Sequence, residues 1–85
     1  MTGKPDARQW RETGEAHIDV RGLGPPQPLL AILRLLGSVE DDTRVIAHLD
    51  RDPVMLYPEL AQIGWQAERV AGDTGEVTLL LRRAP

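Results

Sequence analysis

Apolar and polar residues alternate from His17 to Arg21, which sets Ile18 and Val20 on one side of a short strand and His17, Asp19 and Arg21 on the other. The alternation returns from Thr43 to Leu49, a β-branched stretch with Val45, Ala47 and Leu49 on one side and Ile46 and His48 on the other. Trp65 to Val70 and Glu76 to Arg83 flank the turn-forming cluster Gly72-Asp73-Thr74-Gly75, a pattern that predicts an antiparallel hairpin. In its second strand Val77, Leu79 and Leu81 form the inward row, and Leu80 points the other way.

Between the first two strands the period changes. Gly22 and Gly24 supply a turn, and Pro25-Pro26-Gln27-Pro28 opens a helix, because proline's fixed φ suits a first turn whose N–H groups have no intrahelical partner. The helix is predicted from Pro26 to Leu36. Leu29, Leu30, Ile32, Leu33 and Leu36 fall within an arc of about 160° facing the sheet, with Arg34 outside it. Leu35 falls about 60° beyond that arc, which makes it rim packing or part of a contact surface. Gly37 provides a stop, and Glu40-Asp41-Asp42 reads as a solvated loop. A second helix is predicted to open at Asp52-Pro53, with Asp52 as N-cap, and to run to Ile63 with a kink or break at Pro58 and a stop at Gly64.

Met1 to Gly14 is polar and punctuated by Gly3, Pro5 and Gly14, so it is expected to be a flexible tail preceding a single domain over residues 15–85. Trp10 is its one aromatic residue, either docked back on the domain or exposed. The predicted order is therefore β-α-β-α-β-β, an α+β two-layer sandwich. Its first two strands are parallel through a right-handed crossover, and both helices cover one face of a four-stranded mixed sheet. The uncovered face would carry His17, Asp19, Ile46, His48 and Leu80.

Composition narrows the function classes. An 85-residue chain with no Phe and 41 % hydrophobic residues can build one thin aliphatic core. A net charge of −3 with scattered Lys and Arg argues against a nucleic-acid surface, and Arg82-Arg83 is the only adjacent basic pair. With no cysteine, disulfides, thiolate metal sites and thiol nucleophiles are excluded. No apolar run approaches the ~20 residues that cross a bilayer, and no signal-peptide layout occurs, so a cytoplasmic protein without membrane contact is expected.

Ile18-Asp19-Val20-Arg21-Gly22-Leu23, then Pro26-x-Pro28 and Asp52-Pro53, resemble the TusA/SirA-like small sulfur-carrier proteins over roughly Ile18 to Arg83. The resemblance implies their two-layer sandwich, which is also similar to the C-terminal domain of translation initiation factor 3. In that family a cysteine stands directly before the Pro-x-Pro, where a helix N-terminus favours the thiolate. Here the position is Pro25, which cannot carry sulfur. Pro25-Pro26, Asp50-x-Asp52-Pro53 and Leu56-Tyr57 look more like a related family of uncharacterised bacterial domains, often found beside hemerythrin-like domains. Its members often place a histidine between the two aspartates and Arg and His early in the first helix, where this chain has Arg51, Leu29 and Leu30.

Three candidate sites emerge. His17, Asp19 and His48 carry donors that suit iron or zinc if the strand register aligns them. Arg21, Gly22, Pro25, Pro26, Asp50, Arg51 and Asp52 gather the motif residues around two loops and would suit a small anionic ligand. Ile46, His48 and Leu80 form a docking row on the open sheet face, for a protein partner or a second copy of the chain. Asp50 and Asp52 lack a neighbouring nucleophile or second base, and Gly22-x-Gly24 leads into prolines instead of a phosphate-cradling loop. The expected function is a non-catalytic interaction or regulatory module without a cofactor. Small-ligand or metal binding is the alternative, and a sulfur-transfer accessory without its own cysteine comes third.

Overall fold

A computed structural model describes residues 7–85; residues 1–6, part of the predicted tail, lie outside the described residues. The elements are β1 (Arg8–Glu12), β2 (Glu15–Asp19), α1 (Gln27–Leu36), β3 (Val45–Leu49), α2 (Leu56–Gln62), β4 (Trp65–Val70) and β5 (Val77–Arg83). They build a mixed sheet in the order β1-β2-β3-β5-β4. β2 and β3 run parallel across the α1 crossover, and β3–β5 and β4–β5 pair antiparallel. The inward rows Ala16, Ile18 and Val20, Val45, Ala47 and Leu49, and Val77, Leu79 and Leu81 pack in one cluster with Ile32, Leu35 and Leu36 of α1 and Leu56 and Leu60 of α2. Both helices therefore cover the same face. No helix among the described residues is long and apolar enough to cross a membrane.

The sheet has five strands, one more than the alternation predicts. The extra strand, β1, lies in the stretch expected to be a flexible tail. Thr13 (φ 49°) and Gly14 (φ 81°) make a two-residue turn with both residues left-handed, the geometry whose twist matches a tight hairpin. β1 then pairs antiparallel with β2, with Arg8 opposite Asp19 and Trp10 opposite His17. The domain boundary drawn at residue 15 thus cuts through a hairpin.

The helices also depart from expectation in detail. Leu35 is buried and Leu30 is 47 % exposed, so α1 is rolled relative to the predicted arc. Leu35 lines a shallow recess between the helix and the sheet together with Ala16 of β2 and Gln9 and Arg11 of β1. α2 starts at Leu56, later than Asp52-Pro53 implies, after a turn in which Leu56 N–H donates to Pro53 O at 2.8 Å. Asp52 is therefore no N-cap. Pro58 sits in the first helical turn, where a missing N–H costs no intrahelical bond, and it neither kinks nor interrupts the helix.

Candidate functional site

Two sites stand out, a cleft at one end of the sheet and a polar row on its open face. The cleft lies where the chain leaves the carboxyl ends of the parallel strands β2 and β3, the usual place for ligands in α/β sheets. Its volume is about 340 Å³. Val20 and Leu23 beyond β2, Pro25, Pro26 and Leu29 entering α1, and Val54 and Met55 ahead of α2 give it a wall almost wholly of carbon. Val54 is 63 % and Met55 71 % exposed, an unusual display of apolar side chains at the mouth of an apolar recess.

The local sequence explains this shape. Pro25, Pro26 and Pro28 bring no N–H groups to the start of α1, so its first turn can be lined with ring carbons without orphaned donors. Gln27 N–H donates to Gly24 O at 2.9 Å and closes the turn. The polar residues of the wall are largely engaged. The Asp50 carboxylate accepts the Gly22 N–H at 2.7 Å, which ties the post-β2 loop to the post-β3 loop. Tyr57 O–H donates to Asp52 Oδ1 at 2.5 Å. Burial first, and then this bond to a carboxylate, pushes the Tyr57 phenol up to about 12. Arg51, also in the wall, is exposed and makes no ion pair among the described residues.

Pro25, Pro26, Asp50, Arg51 and Asp52 all line this cleft, and Gly22 supports it from behind. Arg21 does not join them. Its guanidinium turns to the open face of the sheet, where it donates to both Asp19 oxygens, at 2.9 and 2.7 Å, and to Glu76 Oε1 at 3.2 Å. The hydrogen bond from Arg21 lowers the Asp19 carboxyl to about 2, and Asp19 in turn holds Arg21 above its ordinary value.

The open face carries a continuous polar row. The parallel register sets Asp19 beside His48 and His17 beside Ile46. His17 Nδ1 and His48 Nε2 lie 3.1 Å apart, and His48 Nδ1 lies 2.5 Å from Glu76 Oε2. Thr78 O–H donates to the same Glu76 oxygen at 2.6 Å. That bond, followed by those from His48 and Arg21, holds the Glu76 carboxyl below the usual carboxylate range. The preceding loop lies flat on this site: a Cβ at Gly72 would fall 2.1 Å from Thr78 Oγ1. Glu76 is the member that sequence reasoning missed, because two of its partners, His48 and Arg21, lie 28 and 55 residues away.

For the metal reading, the structure brings His17 and His48 together but gives Asp19 to Arg21. Among the described residues no group of three His, Cys, Asp or Glu side chains is placed to hold a metal ion. For the docking row, Ile46 and Leu80 face each other across β3 and β5, and both are half-buried. Trp10 of β1 stacks over both imidazoles, 5.0 Å from the His17 ring and 5.5 Å from the His48 ring. The unforeseen strand thus covers part of the face expected to be open.

A search of curated proteins finds no match to this chain. Residues 17–83, from within β2 to the end of β5 and including both the cleft and the His48–Glu76 row, match the family model described as uncharacterized conserved protein (DUF2249), and the chain belongs to that family.

Proposed function

We propose that this domain is a non-catalytic binding module of TusA-like architecture whose cleft takes a small, uncharged, apolar molecule. The observation that carries the reading is a recess of about 340 Å³, walled by carbon, at the carboxyl ends of parallel strands. Ligand sites generally span about 300 to 1,000 Å³ and are mostly apolar with a few placed polar groups. A cavity of about 150 Å³ already holds benzene, so roughly twice that volume suits a compact ring system or a short branched chain. The charged side chains of the wall are Asp50, Arg51 and Asp52, one cation and two anions, which weighs against an anionic ligand.

The element order from β2 onward, β-α-β-α-β-β, supports the TusA-like assignment. Pro25 stands where the carriers have their cysteine, so binding is the function this position can still serve. Asp50 and Asp52 are committed to Gly22 and Tyr57, which supports a structural role for them over acid–base chemistry. A protein partner resting on the same rim is the second reading, favoured by the outward display of Val54 and Met55. The row of Ile46, His48 and Leu80 is less suited to docking, because both apolar members are half-buried and Trp10 lies over His48.

Titration of the ¹⁵N-labelled chain with cyclohexanol and indole tests the reading. Saturable amide shifts at Leu23, Leu29, Val54 and Met55, abolished by Leu29→Gln, are expected. Shifts that fail to saturate, or that centre on Ile46 and Leu80, would refute it.

A further inference from the structure

The cleft and the open-face row meet in one short turn, Val20-Arg21-Gly22-Leu23. Leu23 N–H donates to Val20 O at 3.3 Å, Gly22 has φ 85°, and Arg21 before it has a negative φ. These features define a type II turn, with glycine at the position that needs a left-handed backbone. Val20 and Leu23, its two ends, line the cleft. Arg21, at its corner, does not, and its guanidinium lies on the open face of the sheet.

The turn is pinned from both sides. Asp19 Oδ1 accepts the Arg21 backbone N–H at 3.0 Å, and on the cleft side Asp50 Oδ2 accepts the Gly22 N–H at 2.7 Å. On the open face the Arg21 guanidinium forks across both Asp19 oxygens and reaches Glu76. Exposed ion pairs hold little, but here the carboxylate side chains are only 9 % and 6 % exposed and the Asp19 contact is bidentate. Apolar packing does less at this place, since Arg21, Gly22 and Gly24 are exposed and Leu23 is half-buried. A segment with so few buried contacts keeps its shape through its polar bonds.

We propose that Arg21 is a positioning residue for the cleft: its ion pairs on the open face hold the turn that presents Leu23 to a bound apolar molecule. The role depends on the cleft being the ligand site, and it makes Asp19 and Glu76 part of that same site. An uncharged ligand offers Arg21 no charge to neutralise, and the guanidinium lies outside the cleft wall. Its influence on binding therefore passes through the turn.

The test is amide titration of the folded chain with cyclohexanol and indole, which reads the native population and is insensitive to how stable that population is. Arg21→Met should weaken both ligands about fivefold or more, the order of the cost of re-fixing one backbone residue on binding. Arg21→Lys, a point charge that cannot fork across Asp19 and still reach Glu76, should fall between the two. It serves as the comparison should the Met variant fail to fold. In the ligand-free variants the Leu23 amide, whose bond closes the turn, should exchange faster, with the Trp65 indole resonance unmoved. Equal affinities in wild type and variants, or weaker binding with Leu23 exchange unchanged, would overturn the role of Arg21 and leave the cleft reading standing. A wild-type titration that does not saturate would remove the cleft reading, and this role with it.

Discussion

Replacing Glu76 by Ala removes one nearly buried carboxylate on which three side chains converge. Its side chain is 6 % exposed, and Thr78, which donates to it at 2.6 Å, is 5 % exposed. The Ala variant leaves the Thr78 hydroxyl without a partner where water reaches poorly, at about 1–3 kcal/mol. The His48 N–H, partly exposed, recovers a water and loses roughly 1 kcal/mol. Arg21 is exposed and keeps Asp19, so it adds nothing to this sum. The expected cost is about 2–4 kcal/mol, a large part of the roughly 4–13 kcal/mol available to a chain of this size. Glu76→Gln keeps an acceptor for Thr78 and His48 and loses only the charge, so it should cost about 1 kcal/mol. Urea unfolding of the full chain, with a slope near ~1 kcal/mol/M, resolves the two as midpoint shifts of about 2 M or more and about 1 M. The pH dependence has a definite sign. Glu76 is held below its ordinary 4.5, so the unfolded chain takes up the proton first, and the contribution is lost as pH falls below that value. The gap between wild type and Glu76→Ala should therefore narrow between pH 5 and pH 3. Equal costs for Ala and Gln, with a gap unchanged over that interval, would refute the convergence argument.

Two further outcomes test the helix roll and the cleft wall. Leu35→Ala should cost about 2–4 kcal/mol and Leu30→Ala less than about 1 kcal/mol, a ranking opposite to the one the helical arc predicts, and thermal unfolding of both variants checks it. Tyr57 is the only tyrosine, so absorbance at alkaline pH reads it alone and should place its ionisation near 12. Because the neutral phenol is favoured by folding, that stability is present below pH 10 and is lost as pH rises toward 12. Asp52→Asn should bring the value part of the way down, with burial retaining the rest.

What could be read from the sequence followed the strength of each local signal. Proline chemistry placed the start of α1 within one residue, and the glycine cluster at 72–75 placed the β4–β5 hairpin. Alternation correctly assigned His17, Asp19, Ile46 and His48 to the face away from the helices, since a strand's period of two survives any register. β1 was hidden because Arg8-Gln9-Trp10-Arg11-Glu12 holds one apolar residue and draws its order from a turn and from Trp10 stacking on residues of two other strands. Leu30 and Leu35 exchanged roles because the angle at which a helix rolls onto its sheet is set by packing and is not written in the helix alone. Asp52-Pro53 reads as a helix opener, yet Asp52 found a phenol five residues on, and its carboxylate no longer caps. The cleft residues were gathered by motif, but the apolar character of their wall also depends on Val54 and Met55, which no motif singled out.

The edges of the sheet carry a consequence for how the domain keeps to itself. An unpaired strand edge is a template for a neighbouring chain, and proteins commonly blunt it with charge. β4 ends the sheet with Glu68 and Arg69 exposed, and β1 ends it with Arg8, Arg11 and Glu12 exposed. β2 behind it has Ala16 and Ile18 among its five residues and would be a far stickier rim. β1 lies outside the family-matched span, which begins at His17. A version that kept β2 but lost β1 would trade a charged border for a bare, half-apolar one, and strand-to-strand aggregation would be its characteristic failure.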